Sequence, residues 1–434
     1  MRRGARFATS LGLLAVCLGL LAPTAPAKGR HHRLSPASAR QFVRATLAAR
    51  RLTPTLVRCH YGGGGYACGW RATRVVREWQ FHCRGHAWRG SKRSSVQACR
   101  MAGPELAPLR SASEVGGWQP SFGFNEDWLT EVPKIDLENG FAPNTDRIPF
   151  DWAVVEPQRE HFNWGGYDKV YAAMRSRHVA PILAIEGSPC WARPKAPCAP
   201  NAQYPPDHDN LRQWSHFVTL TVKRYPDLAG IEVWNEPNLT GFWQPKPSPK
   251  HYTKLLKVTH KAVKSVNPDL PVIFGGLVPQ FGFATRGMDS RTFQKRAYKA
   301  GAGRWVDAFA VHPYVFPSDD PNLMVSVRLQ MAVPKGIAAH FGYPGTPLWV
   351  TEFGLSTNGP GALSPTDQGT KIVALYEMLR QMPGVPVVIL HRLLDLSPSD
   401  PDWQAGMGVV NYRGAPKPAY CALARARTGT CPYP

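Results

Sequence analysis

The chain has 434 residues, of which 43% are hydrophobic and 19% are charged, and its formal net charge is +22. This length exceeds that of one small domain, so more than one structural unit is expected. Beyond an apolar stretch near the N-terminus, no run of residues reaches the length that a membrane span needs, which argues against an integral membrane protein.

Residues 1–27 have the layout of a secretory signal peptide. Three arginines within residues 1–6 precede an apolar stretch at 7–22, and Ala-Pro-Ala follows at 25–27. The apolar stretch is short for a membrane span, and cleavage is expected after Ala27. The sequence therefore predicts a secreted, extracellular protein without a transmembrane anchor.

Residues 28–110 form a basic segment that contains several cysteines. They carry 17 Lys and Arg against two Glu, whereas residues 111–434 have a net charge of only +4. We predict a small disulfide-bonded α+β module that ends in a linker. Its charge suggests contact with an anionic cell envelope or glycan, and a merely soluble basic surface is the equal alternative. A nucleic-acid partner is not expected, because the segment shows no base-reading motif.

Eight cysteines remain once the signal peptide is removed, and an even number in an exported protein predicts disulfides. The absence of Cys-x-x-Cys argues against a thioredoxin-like site or a zinc knuckle. Nearby histidines make a metal cluster conceivable, but disulfides are favoured in an oxidising compartment. Strand-like runs folded about residues 62–65 place Cys59 opposite Cys68, and a turn at 90–93 places Cys83 opposite Cys99. These two turns predict the bonds Cys59–Cys68 and Cys83–Cys99. Two further bonds are predicted in the barrel region, Cys190–Cys198 in a rim loop and Cys421–Cys431 at the C-terminus.

From residue 118 onward, apolar β-branched runs alternate with helical segments. The strand candidates are 121–125, 147–150, 180–186, 230–236, 272–277, 307–314, 347–354 and 387–394. Eight such units predict a (β/α)₈ TIM barrel across the catalytic domain 111–434. A doubly wound sheet is the less favoured alternative, because no Gly-x-Gly-x-x-Gly turn follows the first strand.

Two glutamates end candidate strands of this barrel. Glu236, in Val-Trp-Asn-Glu-Pro-Asn (233–238), ends the fourth strand, and Glu352, in Leu-Trp-Val-Thr-Glu-Phe-Gly (348–354), ends the seventh. The C-terminal ends of barrel strands meet at the active-site mouth, so the two carboxylates can converge. Glycoside hydrolysis needs such a pair, one to transfer protons and one to attack the sugar, and it needs no metal or organic cofactor. Taken alone, a glutamate at a strand end is more often a salt-bridge partner, so the prediction depends on the pair.

At these residues the chain resembles the clan A glycoside hydrolases, most closely family 39 and next family 5. The resemblance covers roughly 120–425. It rests on Glu-Val-Trp-Asn-Glu-Pro-Asn-Leu-Thr-Gly-Phe-Trp (232–243), Arg-Ile-Pro-Phe-Asp-Trp (147–152), Ser-Pro-Cys-Trp-Ala (188–192), His-Pro-Tyr (312–314) and Lys-Pro-Ala-Tyr (417–420). It implies a retaining glycosidase that degrades a polysaccharide or oligosaccharide.

The resemblance also implies a role for each matching residue. Glu236 would be the general acid/base and Glu352 the nucleophile. The others would assist them: Asn235 by binding the sugar 2-hydroxyl, Tyr314 by donating a hydrogen bond to Glu352, Arg147 by lowering the pKa of Glu352, and His312 and Trp191 by lining the sugar subsite. Two further tryptophans, Trp243 and Trp403, fall in mouth loops, where an exposed indole suits stacking on a sugar; capping of the loop is the equal alternative.

The end of strand eight departs from the family pattern. Clan A enzymes commonly carry a tryptophan at the end of strand eight, but Leu-His-Arg-Leu-Leu-Asp (390–395) has none, so the sugar and its linkage stay open. By strand alternation, Trp349 should face away from Glu352 and pack on the helical shell. The alternatives to an enzyme are a glycan-binding barrel without catalysis and an envelope adhesin that uses the basic module.

Overall fold

A computed structural model describes the backbone of residues 53–62, 65–76, 79–87 and 100–101, and then residues 121–126, 132–199, 202–279, 287–397, 399–400 and 402–433. The chain divides into two compact units, Met1–Val115 and Gly116–Pro434. Across the described ranges, no helix is both long and apolar enough to cross a membrane.

The first unit contains an antiparallel sheet with the strand order β1-β2-β3-β4. Its strands are β1 (Thr53–Gly62), β2 (Gly65–Val76), β3 (Trp79–Ala87) and β4 (Arg100–Met101). The register pairs Cys59 with Cys68, as the glycine-rich turn predicts. It pairs Cys83 with Met101, so the prediction that Cys99 lies opposite Cys83 is wrong by two residues. Cys99 itself, like the predicted signal peptide, lies outside the described residues.

The second unit is a barrel of eight parallel strands in the order β5-β12-β11-β10-β9-β8-β7-β6. Its strands are β5 (Ser121–Phe124), β6 (Thr145–Asp151), β7 (Ala180–Glu186), β8 (Gly230–Val233), β9 (Val272–Leu277), β10 (Ala308–Val311), β11 (Leu348–Phe353) and β12 (Val387–Leu390). A parallel bridge between Asn125 and Arg147 joins the ends of the sheet. The predicted (β/α)₈ barrel is confirmed, and the doubly wound alternative is wrong.

Helices alternate with these strands and cover the barrel. They are α1 (Trp152–Val155), α2 (Gly165–Ser176), α3 (Leu211–Arg224), α4 (Pro249–Val266), α5 (Ser290–Lys299), α6 (Leu323–His340), α7 (Pro365–Arg380) and α8 (Pro418–Thr428). Short 3₁₀ helices lie at Val132–Phe141, Cys190–Ala192, His208–Asn210, Ala302–Trp305 and Trp403–Gly406.

The sequence sets where these helices begin. Ser248 and Ser364 cap α4 and α7 by accepting a backbone N–H with their side chains, and a proline follows each of them. Helix α3 then buries one stripe at helical spacing, including Trp214, Phe217 and Val218, against the outside of the barrel.

Apolar side chains fill the barrel interior near the strand beginnings. Every buried member of this cluster lies on a barrel strand: Ile182, Ile273, Ala308, Ala310, Trp349, Val387 and Ile389. The prediction that Trp349 packs on the helical shell is therefore wrong. The pairing of β11 with β12 shifts register between Val350 and Phe353, so simple alternation does not hold across this segment. Gly230 makes room for the indole, since an added Cβ there would lie 3.3 Å from its ring.

Two disulfides are present in the barrel unit. Cys190 bonds to Cys198 in the loop after β7, and Cys421 bonds to Cys431, which ties α8 to the C-terminal tail. Both predicted pairs in this unit are confirmed.

Candidate active site

The two glutamates singled out in the sequence lie together at the mouth of the barrel. Glu236 follows the fourth barrel strand β8, and Glu352 lies near the end of the seventh, β11. The two residues are 7% and 6% exposed. One carboxylate oxygen from each, together with a ring nitrogen of His312, lie within 4.8 Å of one another. The fold thus brings together two carboxylates that are 116 positions apart in the sequence.

The turn after β8 aims Glu236 into this cluster. Trp234 and Glu236 both have positive φ angles, 69° and 40°. Such left-handed backbone costs about 1–3 kcal/mol at a non-glycine residue and is concentrated at functional sites. The turn is stabilised by contacts to its neighbours, because Asn235 N donates to Glu186 Oε2 at 3.3 Å and Asn238 Nδ2 donates to Val278 O at 2.9 Å.

Glu352 accepts hydrogen bonds on both oxygens. Arg147 Nη1 and Asn125 Nδ2 donate to Oε1 at 2.7 and 3.2 Å, and the Tyr314 hydroxyl donates to Oε2 at 2.8 Å. Burial alone would raise the pKa of Glu352, but the charges of His312 and Arg147 outweigh it and lower that pKa to about 2. Glu352 is therefore a carboxylate at any ordinary pH.

Glu236 has the opposite electrostatic setting. Burial raises its pKa, and the hydrogen bond from His312 offsets this only in part. His312 Nδ1 lies 2.8 Å from Glu236 Oε1 and 3.5 Å from Glu352 Oε2. Two identical side chains are thereby separated into one that keeps its proton to higher pH and one that stays ionised. This is the division that acid–base and nucleophilic roles require.

Arg147 links three barrel strands beneath the site. Its Nε and Nη2 donate to the two oxygens of Glu232 at 2.8 and 3.1 Å, and its Nη2 also donates to Asn235 Oδ1 at 2.8 Å. Burial would lower the pKa of Arg147, but Glu232 and Glu352 raise it, so the guanidinium stays charged. Because arginine only donates, the oxygen of Asn235 faces Arg147, and its amide nitrogen is the end left for a ligand.

His312 fits against the fifth barrel strand because residue 276 is glycine. A Cβ at Gly276 would lie 2.0 Å from His312 Nε2, so any side chain there would displace the ring. His312 Nε2 lies 3.1 Å from Thr351 Oγ1. Burial would lower the pKa of His312, but Glu352 and Glu236 raise it.

The cluster of Glu236, His312 and Glu352 has the donor atoms of a metal site. The Arg147 guanidinium, however, already lies 2.7 Å from Glu352 and is shared between that carboxylate and Glu232. A second cation there would meet direct repulsion, so the arrangement fits acid–base chemistry better than metal binding.

Trp243 and Trp191 differ from each other in their surroundings. Trp243 is 1% exposed and packs against Trp234 and Tyr252, so the prediction that it stacks on a sugar is wrong. The reason is that its loop folds back onto α4 and adds the indole to the shell core. Trp191 is half-buried, packs edge-on against Trp152 and donates from Nε1 to Glu156 O at 3.1 Å. Its place in a sugar subsite stays a prediction.

Trp403 packs against Tyr314, the residue that donates to Glu352. It is half-buried, and its ring packs edge-on against Tyr314 at 5.9 Å and Phe316 at 5.5 Å. Since the Tyr314 hydroxyl donates to Glu352, a single ring separates this indole from that carboxylate.

Sequence reasoning missed three residues of the site: Asn125, Glu232 and His391. Asn125 and His391 follow the first and eighth barrel strands, so the strand-end rule that found the glutamates could have found them too. Glu232 lies inside strand β8. Its buried carboxylate is explained by its ion pair with the buried guanidinium of Arg147, which the sequence does not reveal. His391 follows strand eight, in the segment that was singled out in the sequence because it lacks the tryptophan common in clan A enzymes.

Comparison with known proteins supports this architecture. No family model matches the sequence. A stretch of 88 residues is 38% identical to a β-xylosidase from Geobacillus stearothermophilus, and it covers 18% of this chain and 17% of that relative. The match therefore spans about a sixth of the length of this curated relative.

Solved structures with the same fold cover most of the chain. A family 39 glycoside hydrolase from the gut symbiont Bacteroides cellulosilyticus WH2 aligns with a TM-score of 0.55 and 19% identity over 87% of this chain and 77% of its own. A monomeric β-xylosidase from Caulobacter crescentus CB15 aligns at 0.53 and 19% over 72% and 69%. A GH5_18 protein from Streptomyces cattleya, in complex with GlcNAc, aligns at 0.53 and 17% over 73% and 82%. The predicted resemblance to family 39, with family 5 next, is confirmed at the level of the fold.

Proposed function

We propose that the chain is a secreted retaining glycoside hydrolase that cleaves O-glycosidic bonds in a polysaccharide or oligosaccharide. The observation that supports this most directly is that oxygens of Glu236 and Glu352 lie within 4.8 Å. Retaining glycosidases hold their two carboxyl groups about 5–5.5 Å apart, whereas inverting enzymes need about 6.5–9.5 Å to admit a water molecule.

In the first step, an oxygen of ionised Glu352 attacks the anomeric carbon. The bond from that carbon to the leaving oxygen breaks, and Glu236 transfers its proton to that oxygen. A covalent glycosyl ester on Glu352 results. The low pKa of Glu352 and the raised pKa of Glu236 supply the protonation states that this step needs.

In the second step, Glu236 acts as a base. It takes a proton from a water molecule whose oxygen attacks the anomeric carbon, and the ester bond to Glu352 breaks. The sugar leaves with its original anomeric configuration, and Glu236 is protonated again. A sugar hydroxyl in place of water would give transglycosylation by the same chemistry. The amide nitrogen of Asn235 is available to bind the 2-hydroxyl in both steps.

A local sequence likeness and the composition of the N-terminal region support the proposed substrate and setting. The local likeness to a β-xylosidase makes β-xylosides the first substrates to test. The signal-like residues 1–27 support secretion, and the basic composition of 28–110 supports contact with an anionic envelope or glycan. A barrel that only binds glycan is disfavoured, because binding alone does not call for two carboxylates with oppositely shifted pKa values.

The test is sugar release from a panel of aryl glycosides and of plant and microbial polysaccharides. Wild type is compared with Glu352→Gln and Glu236→Gln, and with Glu377→Gln on the outer helix α7 as the matched control. We expect both site variants to lose at least about a hundredfold in kcat/KM on the glycoside that wild type hydrolyses, with the control unchanged. Activity that survives both substitutions would show that the catalytic residues are misassigned. Folded wild type that turns over nothing on the panel would favour a binding-only barrel.

A further inference from the structure

The first barrel strand ends in a side chain whose amide is fully used beside Glu352. Asn125 is 7% exposed, and its Oδ1 accepts a hydrogen bond from Arg147 Nη1 at 2.9 Å. Because arginine only donates, this contact fixes which end of the amide is oxygen. The two hydrogens of Nδ2 then point to Glu352 Oε1, at 3.2 Å, and to His391 Nδ1, at 2.9 Å.

This amide also fixes the tautomer of His391. Nδ1 accepts from Asn125, so the ring proton lies on Nε2, which is 3.3 Å from Gln404 Oε1. Burial lowers the pKa of His391 to about 4, although Glu352 opposes this shift. The imidazole is therefore neutral at ordinary pH and takes part as a hydrogen-bond acceptor toward Asn125.

The neighbouring residue of strand one holds the backbone that follows His391. The buried carboxylate of Glu126 accepts from Leu394 N at 3.3 Å and from Arg392 Nη2 at 3.0 Å, and it also accepts from Leu393 N. Two consecutive residues that follow the first barrel strand thus bind the segment that follows the eighth. Asn125 connects that end to Glu352, 227 positions away along the chain.

We propose that Asn125 is a positioning residue, held by His391, that fixes the orientation of the Glu352 carboxylate. The inference rests on the proposed function, since it assigns a role toward the nucleophile of that reaction. The three donors Arg147, Asn125 and Tyr314 define the plane of the carboxylate. Asn125 adds to this a hydrogen-bonded connection to the end of strand eight through His391.

Asn125→Leu tests the proposal, because leucine has nearly the same volume but cannot donate. The matched control is Asn144→Leu, which removes an amide that accepts from Phe122 N of the same strand at 2.9 Å. The pH profile of kcat/KM is the readout, and the titratable groups that face Glu352 are Arg147, His312, Tyr314, Glu236 and His391.

For Asn125→Leu we expect kcat/KM to fall about tenfold to a hundredfold, the size of effect expected for one hydrogen bond to a buried charge. The acid limb should move to higher pH, because ionised Glu352 loses a donor. Asn144→Leu should leave the profile in place even if it unfolds at a lower temperature. Identical profiles for the two variants would overturn the proposal.

A second pair keeps the test decisive if Asn125→Leu does not fold. Asparagine can present an oxygen near the position of the His391 Nδ1, whereas leucine cannot. We expect His391→Asn to retain most of kcat/KM and His391→Leu to lower it about tenfold, as for one lost hydrogen bond in a site. Equal activity in both would overturn the link through Asn125. If instead Glu352→Gln leaves activity intact, the proposed function fails, and that outcome is distinct from a failure of this inference.

Discussion

Tyr314 donates a 2.8 Å hydrogen bond from its hydroxyl to Oε2 of Glu352. Burial and the nearby charge of Glu352 raise the pKa of Tyr314 well above its usual value, so the phenol keeps its proton and remains a donor. The contact joins the ends of the sixth and seventh barrel strands. Its removal takes away one of the donors that lower the pKa of Glu352 and leaves Arg147 and His312 in place.

Tyr314→Phe should therefore lower kcat/KM by about tenfold to a hundredfold, because a hydrogen bond to a buried carboxylate is lost. The acid limb of the pH–rate profile should move to higher pH, since the pKa of Glu352 is no longer lowered by this donor. Initial rates across a pH series measure both effects. Tyr420→Phe is the control, because it removes a tyrosine hydroxyl that donates to Leu137 O and not to Glu352. It should leave the acid limb in place.

Arg147→Met should cost both stability and activity. The substitution leaves Glu232 and Glu352 as buried carboxylates without their cation, and breaking a buried ion pair in this way costs about 3–5 kcal/mol. Denaturant unfolding monitored by tryptophan fluorescence measures the free energy of unfolding. A decrease below about 1 kcal/mol, the range of surface ion pairs, would show that the guanidinium is not the stabilising link described here.

Much of the barrel could be predicted because its signals are local. Buried parallel strands appear as apolar runs, and the strand-end position of Glu236 and Glu352 follows from strand order alone. Trp349 and Trp243 could not be placed in this way. The first depends on a register shift between two strands, and the second on a loop that folds back onto a helix.

The residues that contact Glu236 and Glu352 were harder to predict, because they depend on contacts between distant parts of the chain. Asn125 meets Glu352 only after the first and eighth strands have closed the barrel. Nothing in the residues next to Asn125 reports that contact. The departure at strand eight was visible as a missing tryptophan, but the contacts of His391 required the fold.

Asp146 and Glu138 should make stability depend on pH. Burial raises the pKa of Asp146 from 3.8 to about 7, although a hydrogen bond from Phe124 N opposes this, and burial and Asp146 raise the pKa of Glu138. The folded pair thus binds a proton that the unfolded chain has already released. Its contribution to the free energy of unfolding is full below about pH 3.8 and is lost as pH rises to about 7.

Asp146→Asn should make the free energy of unfolding depend less on pH, because the amide does not ionise. The measurement is the free energy of unfolding from urea titrations at several pH values between 4 and 7. Asp136→Asn, at an exposed position on the 3₁₀ helix that carries Glu138, should keep the wild-type slope. A slope in Asp146→Asn equal to that of wild type would contradict the shared-proton account.

Trp403→Ala should weaken substrate binding with little effect on stability. The indole is half-buried beside Tyr314, so its loss removes a wall of the site and not part of the core. We expect KM to rise about tenfold with kcat changed far less, as for one lost stacking or apolar contact. Trp243→Ala is the contrast, because loss of this buried ring should cost about 3–5 kcal/mol of stability. An unchanged KM for Trp403→Ala would remove Trp403 from the sugar site.

The central claim is that Glu236 and Glu352 carry out a double displacement. It is tested most directly by proton NMR of the first sugar released from an aryl glycoside that the enzyme hydrolyses. One oxygen of each carboxylate lies within 4.8 Å of the other, which is closer than the spacing of about 6.5–9.5 Å in inverting enzymes, so the account predicts that the first product has the anomeric configuration of the substrate. A first product of the opposite configuration would contradict it.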